Sequence, residues 1–106
     1  MNAQFWYVVR ILMRCSVCVD NEPLFSEEFV LMRAASYEEA YRKAEAKGKE
    51  LSHSYENDAG TEVRWILESI LEVRRVTSDV LGDGCEIYAR TWSTPPEVVP
   101  RGILDK

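Results

Sequence analysis

Basic charge is scarce in this chain: 13 lysines and arginines stand against 18 aspartates and glutamates, for a formal net charge of −5. A nucleic-acid binder presents a basic face to phosphates. Here the cations are interspersed among acids, so no nucleic-acid partner is expected. Long apolar runs are missing as well. Residues 5–19 are mostly apolar, but Arg10 and Arg14 interrupt them, and neither a basic start nor a small-residue cleavage site frames them. The stretch therefore reads as neither a signal peptide nor a membrane span. Histidine occurs once, at position 53, and cysteine three times. An odd cysteine count suits reduced thiols and a cytoplasmic location better than a disulfide framework. No glycine-rich run has phosphate-binding spacing, which leaves nucleotide chemistry without an anchor.

What is present is alternation. Phe5, Tyr7, Val9, Ile11, Met13, Cys15, Val17 and Val19 occupy every second position, the mark of a strand with one face in a core. Asp20-Asn21-Glu22-Pro23 supplies a turn, and a second strand over roughly 27–35 pairs back as a hairpin. Ser36-Tyr37-Glu38-Glu39 reads as a capping box. Tyr37, Ala40, Tyr41 and Ala44 continue it as one apolar helical stripe. Glu38–Arg42, Glu39–Lys43 and Glu45–Lys49 are spaced as i,i+4 pairs, and Gly48 is placed to stop the helix.

Period two returns from Leu51, with Leu51, His53 and Tyr55 on one side, and a turn follows at Asn57-Asp58-Ala59-Gly60. In the next strand Val63, Trp65, Leu67, Leu71 and Val73 face one way, and Ile66, Glu68, Ile70 and Glu72 the other. After Gly82-Asp83-Gly84, residues 85–92 predict a last strand with Tyr88, Arg90 and Trp92 outward. Thr94-Pro95-Pro96 ends regular structure. The expected architecture is a single α+β domain over residues 1–93, with a Pro-rich C-terminal tail over 94–106. Its elements run β-β-α-β-β-β, an antiparallel sheet of about five strands with one helix on one face.

Chemistry-bearing residues are few. Cys15 and Cys18 form a C-x-x-C, and Cys85 with His53 brings the count of potential zinc ligands to four. In a strand, however, positions i and i+3 point to opposite faces, so no metal and no cofactor is expected. His53 has no recognisable nucleophile beside it, and no catalytic residue is assigned. Glu62, Glu68 and Glu72 share a strand face with arginines opposite, which cross-strand ion pairing explains. The Asn57–Gly60 tip is accounted for as a turn.

The outward sheet face is the informative surface. Trp6, Leu12, Arg14, Ile66, Ile70, Tyr88, Arg90 and Trp92 are the residue types that dominate protein interfaces. A face meeting only water would be mostly polar. Val98, Val99, Ile103 and Leu104 of the tail offer a competing cover for it.

Several segments together resemble a family of small bacterial proteins catalogued as a domain of unknown function. They are Trp6-Tyr7-Val8-Val9-Arg10, Ser36-Tyr37-Glu38-Glu39-Ala40, Tyr55-Glu56-Asn57 through Val63-Arg64-Trp65, and Gly84-Cys85-Glu86-Ile87-Tyr88-Ala89-Arg90. The resemblance covers roughly residues 5–92 and implies no assigned activity. Size and acidity are similar to those of small immunity proteins that neutralise toxins, an analogy only.

The sequence therefore predicts a non-enzymatic protein-interaction module, binding a protein partner or itself as a homodimer, with no membrane association. Its rival is a small-molecule binder or enzyme with a pocket between helix and sheet, lined by Tyr41, His53, Tyr55 and Asn57.

Overall fold

The computed structural model describes residues 3–17, 24–78 and 80–89. It comprises β1 (Phe5–Val17), β2 (Phe25–Ala34), α1 (Tyr37–Leu51), β3 (His53–Glu56) and β4 (Glu62–Arg75). The sheet is antiparallel in the order β2-β1-β4-β3. The two longest strands, β1 and β4, lie side by side at its centre. α1 packs on one face, giving a two-layer α+β domain. Among the described residues no helix is long and apolar enough to cross a membrane.

Among the described residues the sheet has four strands rather than the expected five. Residues 85–89 alternate in sequence but form no ladder. The Thr77 N–H donates to the Ile87 carbonyl (2.9 Å), and the Arg74 guanidinium lies 5.3 Å from the Tyr88 ring centre. Alternation reports which side chains point together, but a strand also needs a run of backbone partners. Arg90, Trp92, Cys18, the 20–23 turn and the tail from Thr94 lie outside the described residues.

Burial follows the period-two reading of β1. Tyr7, Val9, Ile11, Met13 and Cys15 are all 5% exposed or less on the helix face. Register adds Val30, Met32 and Ala34 from β2 to that face, and Trp65, Leu67, Ile70 and Val73 from β4. These side chains form one dry core, and no polar or charged residue is buried among the described residues.

Ile70 corrects the expectation for β4. The β1–β4 register slips between Arg10 and Ile11 and again between Leu12 and Met13, so Glu68 and Leu71 are extra residues on the β4 side. Each bulge reverses the inside–outside phase. Ile70 therefore packs against the core instead of facing out, Ser69 takes the outward position opposite Leu12, and Leu71 is left 44% exposed.

At the start of α1, the Ser36 hydroxyl accepts the Glu39 N–H (3.2 Å), and the Glu39 carboxylate accepts the Ala35 N–H (3.2 Å). The box closes one residue earlier than the standard arrangement, and this use turns Glu39 to the cap. Lys43 donates instead to the Arg33 carbonyl. The buried stripe of the helix is Ala40, Ala44 and Gly48, while Tyr37 and Tyr41 are about half exposed. Gly48 is not the stop, because the helix runs one turn further to Leu51 and Ser52 caps its end. A Cβ on Gly48 would lie 2.6 Å from Leu67 Cδ1, so the missing side chain lets the helix descend onto β4.

The open sheet face as candidate functional site

Side chains opposite to the core set line the face that α1 leaves open. β1 contributes Trp6, Val8, Arg10, Leu12 and Arg14; β2 contributes Phe25, Glu27, Phe29, Leu31 and Arg33. Ile66, Ser69, Glu72 and Arg74 of β4 complete it by register.

A row of ion pairs crosses its centre. Arg10 pairs with Glu27 on one side and with Glu72 (3.1 Å) on the other, and Glu72 also accepts from Arg74 (2.7 Å). Arg14 and Glu68 pair at 3.3 Å, and Arg64 pairs with Glu62. Hydrogen bonds to Glu27, then to Glu72, hold the Arg10 guanidinium above its ordinary pKa, and Glu72 does the same for Arg74. Raised arginine values contribute stability below the unfolded arginine pKa and lose it only as pH rises through the folded one. From the cation side the row is therefore constant across the neutral range.

Aromatic contacts brace two cations of this face. The Arg10 guanidinium lies 5.7 Å from the centre of Phe29, and that of Arg33 lies 5.3 Å from Trp6. By register and pairing, the sheet's open face carries Arg10, Arg14, Arg33, Arg64 and Arg74 against Glu27, Glu56, Glu62, Glu68 and Glu72. Cations and anions balance on this face, within a chain whose net charge is −5. Around the balanced row protrude Phe25 (50% exposed), Phe29 (60%) and Leu31 (42%).

The structure gathers Trp6, Leu12, Arg14 and Ile66 on this face and lays Tyr88 against Arg74 there. It turns Ile70 to the other side. Phe25, Phe29 and Leu31 are the residues that sequence reading did not assign. Their signal is period two along β2: Phe29 and Leu31 fall within the expected 27–35 strand, and only Phe25 lies before its expected start.

The four residues considered for a pocket are spread out. Tyr41 is exposed on the first half of α1. His53 and Tyr55 stack ring on ring on β3 (5.8 Å between centres, 16° between planes). The His53 Nδ1 lies 2.8 Å from the Leu51 carbonyl. Asn57 holds the β3–β4 turn, its Oδ1 accepting the N–H groups of Ala59 (3.0 Å) and Thr61 (2.9 Å), while Gly60 takes φ 78°. These bonds explain the Asn and Gly of the tip through turn geometry. A cavity beside this hairpin is lined by Ser54, Tyr55, Glu56, Gly60 and Glu62, and of the four only Tyr55 reaches it. Cys15 is buried on β1, and among the described residues no three potential ligands gather as a metal site.

No curated protein and no solved structure matches the chain. A family model does: the Domain of unknown function (DUF4288), over residues 6–89, from the first open-face tryptophan on β1 to the residue after Tyr88. That span takes in β1 from Trp6 onward, the other described strands and the helix, and the chain belongs to the DUF4288 family.

Proposed function

We propose that this protein is a non-enzymatic interaction module whose open sheet face docks a second copy of the chain. The observation that carries this reading is the combination on that face of protruding Phe25, Phe29 and Leu31 with ion pairs balanced within the face itself. Exposed aromatic and aliphatic side chains around arginines are the composition of interface centres. A contiguous patch of them on a face that the helix leaves open marks an interaction site.

Charge favours a like partner. Two chains of net charge −5 repel through most of their surfaces. A face with no net charge is where two copies meet without that penalty, and Arg10, Arg14, Arg64 and Arg74 on it already hold carboxylates of the same chain. A strongly basic partner would instead call for an acidic face.

The test is light scattering coupled to size exclusion, from micromolar to near-millimolar chain. It would be run on the full chain, on a Phe29→Glu/Ile66→Glu variant and on a chain ending at Trp92. The expected result is a dimer that the double variant reduces to monomer while its circular dichroism is unchanged. A full chain that stays monomeric throughout the concentration range overturns the reading. A dimer that survives the double variant overturns the assignment to this face. Loss of the dimer on truncation alone would make the tail part of the contact.

A further inference from the structure

One end of the sheet, where β1 begins, holds a cleft of about 350 Å³ lined by Gln4, Phe5, Trp6, Arg33, Arg75, Val76 and Ser78. We propose that it is a binding site for a small oxyanion, a carboxylate or phosphate group held by Arg33 and Arg75. This inference does not rest on the dimer reading, although Trp6 and Arg33 belong to both the cleft and the open face.

Arginine pairing sets the cleft apart. Arg10, Arg14, Arg64 and Arg74 each contact a carboxylate. Arg33, Arg42 and Arg75 contact none among the described residues, and of these Arg33, opposite Trp6, and Arg75, opposite Tyr7, line the cleft from the two sides of the sheet's end. Each of these two rests on an aromatic plate instead: Arg33 over Trp6 at 5.3 Å, and Arg75 over Phe5 at 3.6 Å. Stacking occupies the flat face of a guanidinium and leaves its edge N–H groups, the fork that matches carboxylate and phosphate, directed elsewhere. The plates also fix the orientation of two long side chains before any ligand arrives, which lowers the ordering cost of binding.

The surroundings suit an anion. Lys43 reaches the carbonyl of Arg33 and adds a third cation close by. Val76, 4% exposed, is the buried apolar member of the lining. Gln4 and Ser78 bring an amide and a hydroxyl that hydrogen-bond no other side chain among the described residues. The volume lies in the range of small-ligand sites. Local cationic charge in a chain of net charge −5 makes the site selective, because the rest of the surface repels anions.

The experiment is a titration of the full chain at constant ionic strength with inorganic phosphate, and separately with acetate, against chloride. The readout is the NMR shifts of the residue 4–6 amides and the arginine Nε–H groups. Saturable shifts confined to the cleft are expected for at least one of the two anions. Saturation with phosphate alone identifies a phosphate-bearing ligand, and with acetate alone a carboxylate. Arg33→Gln or Arg75→Gln alone should weaken binding about tenfold, the loss expected for one charge-assisted hydrogen bond. Arg75→Lys should restore only part of it, since a point charge replaces a fork. Both guanidiniums are exposed, so these variants are expected to fold, and unchanged core amide shifts would verify it. Shifts that match those of chloride, or saturable binding that survives Arg33→Gln/Arg75→Gln, overturn the proposal.

Discussion

The two faces of this sheet are built from the same strands and solve opposite problems. Beneath the helix, Val9 and Ile11 are fully buried, and the core excludes every charged side chain. On the far side, charged residues stand among apolar ones along each strand, and those at the centre are tied into a row through Arg10 and Glu72. The first face owes its stability to area removed from water. The second gains little from its partly exposed ion pairs, since such pairs contribute about 1 kcal/mol or less each. What the row does secure is a defined shape: it fixes long side chains around Phe29 and Leu12 and leaves no unpaired charge at the centre. Stability resides in one face, and our proposal places recognition in the other.

Substitutions on either side should separate these roles. Ile11→Ala, at a position with no exposure, should cost about 2 to 5 kcal/mol in urea unfolding. A loss below about 1 kcal/mol would mean that the core collapses around the gap and that the covered face is looser than described. Gly48→Val places two methyls where even a Cβ meets Leu67. It should destabilise by about 1 to 3 kcal/mol, with the shift seen in the Leu67 methyl resonances. Glu72→Gln removes the shared carboxylate of Arg10 and Arg74 and should cost about 1 kcal/mol, with a smaller difference from wild type at high salt. Smallest for stability, and largest for association, is Leu31→Ser. Its melting temperature should stay within the equivalent of about 0.5 kcal/mol of wild type, while the dimer dissociation constant rises. A core-sized loss from Leu31→Ser would dissolve the distinction between the faces.

Much of this fold was legible in the sequence, and the misses have physical causes. The phase of β1 was readable because thirteen residues alternate without interruption. The Ser36 cap was readable because its chemistry is local, needing only a hydroxyl and a carboxylate three residues apart. Gly48 misled because glycine serves two purposes, ending a helix or letting it approach a neighbour, and only Leu67 decides between them. The fifth strand failed because alternation at Cys85–Ala89 is a side-chain property, whereas a ladder depends on which backbone is in reach. Of the open face, Trp6, Leu12 and Ile66 could be placed from period alone. On β2, Phe29 and Leu31 share that period within the expected 27–35 span, and only Phe25 depended on locating the strand's start. The cleft at Arg33 and Arg75 could not be read at all, since three distant segments converge there.

The paired bulges of β4 have a consequence best put in the language of reading frames. Glu68 is an insertion that shifts the inside–outside frame, and Leu71 is a second insertion that restores it. Val63, Trp65 and Leu67 before them and Val73 after them therefore share one frame, while Ile70 alone is read in the other. Deleting Leu71 alone would remove its bulge and leave Glu72 opposite Arg10 and Val73 opposite Val9, the strand one residue shorter. Deleting Glu68 alone would do the same between Leu67 and Ser69. Each bulge is thus a place where a single residue can enter or leave without carrying the rest of the strand to the other face.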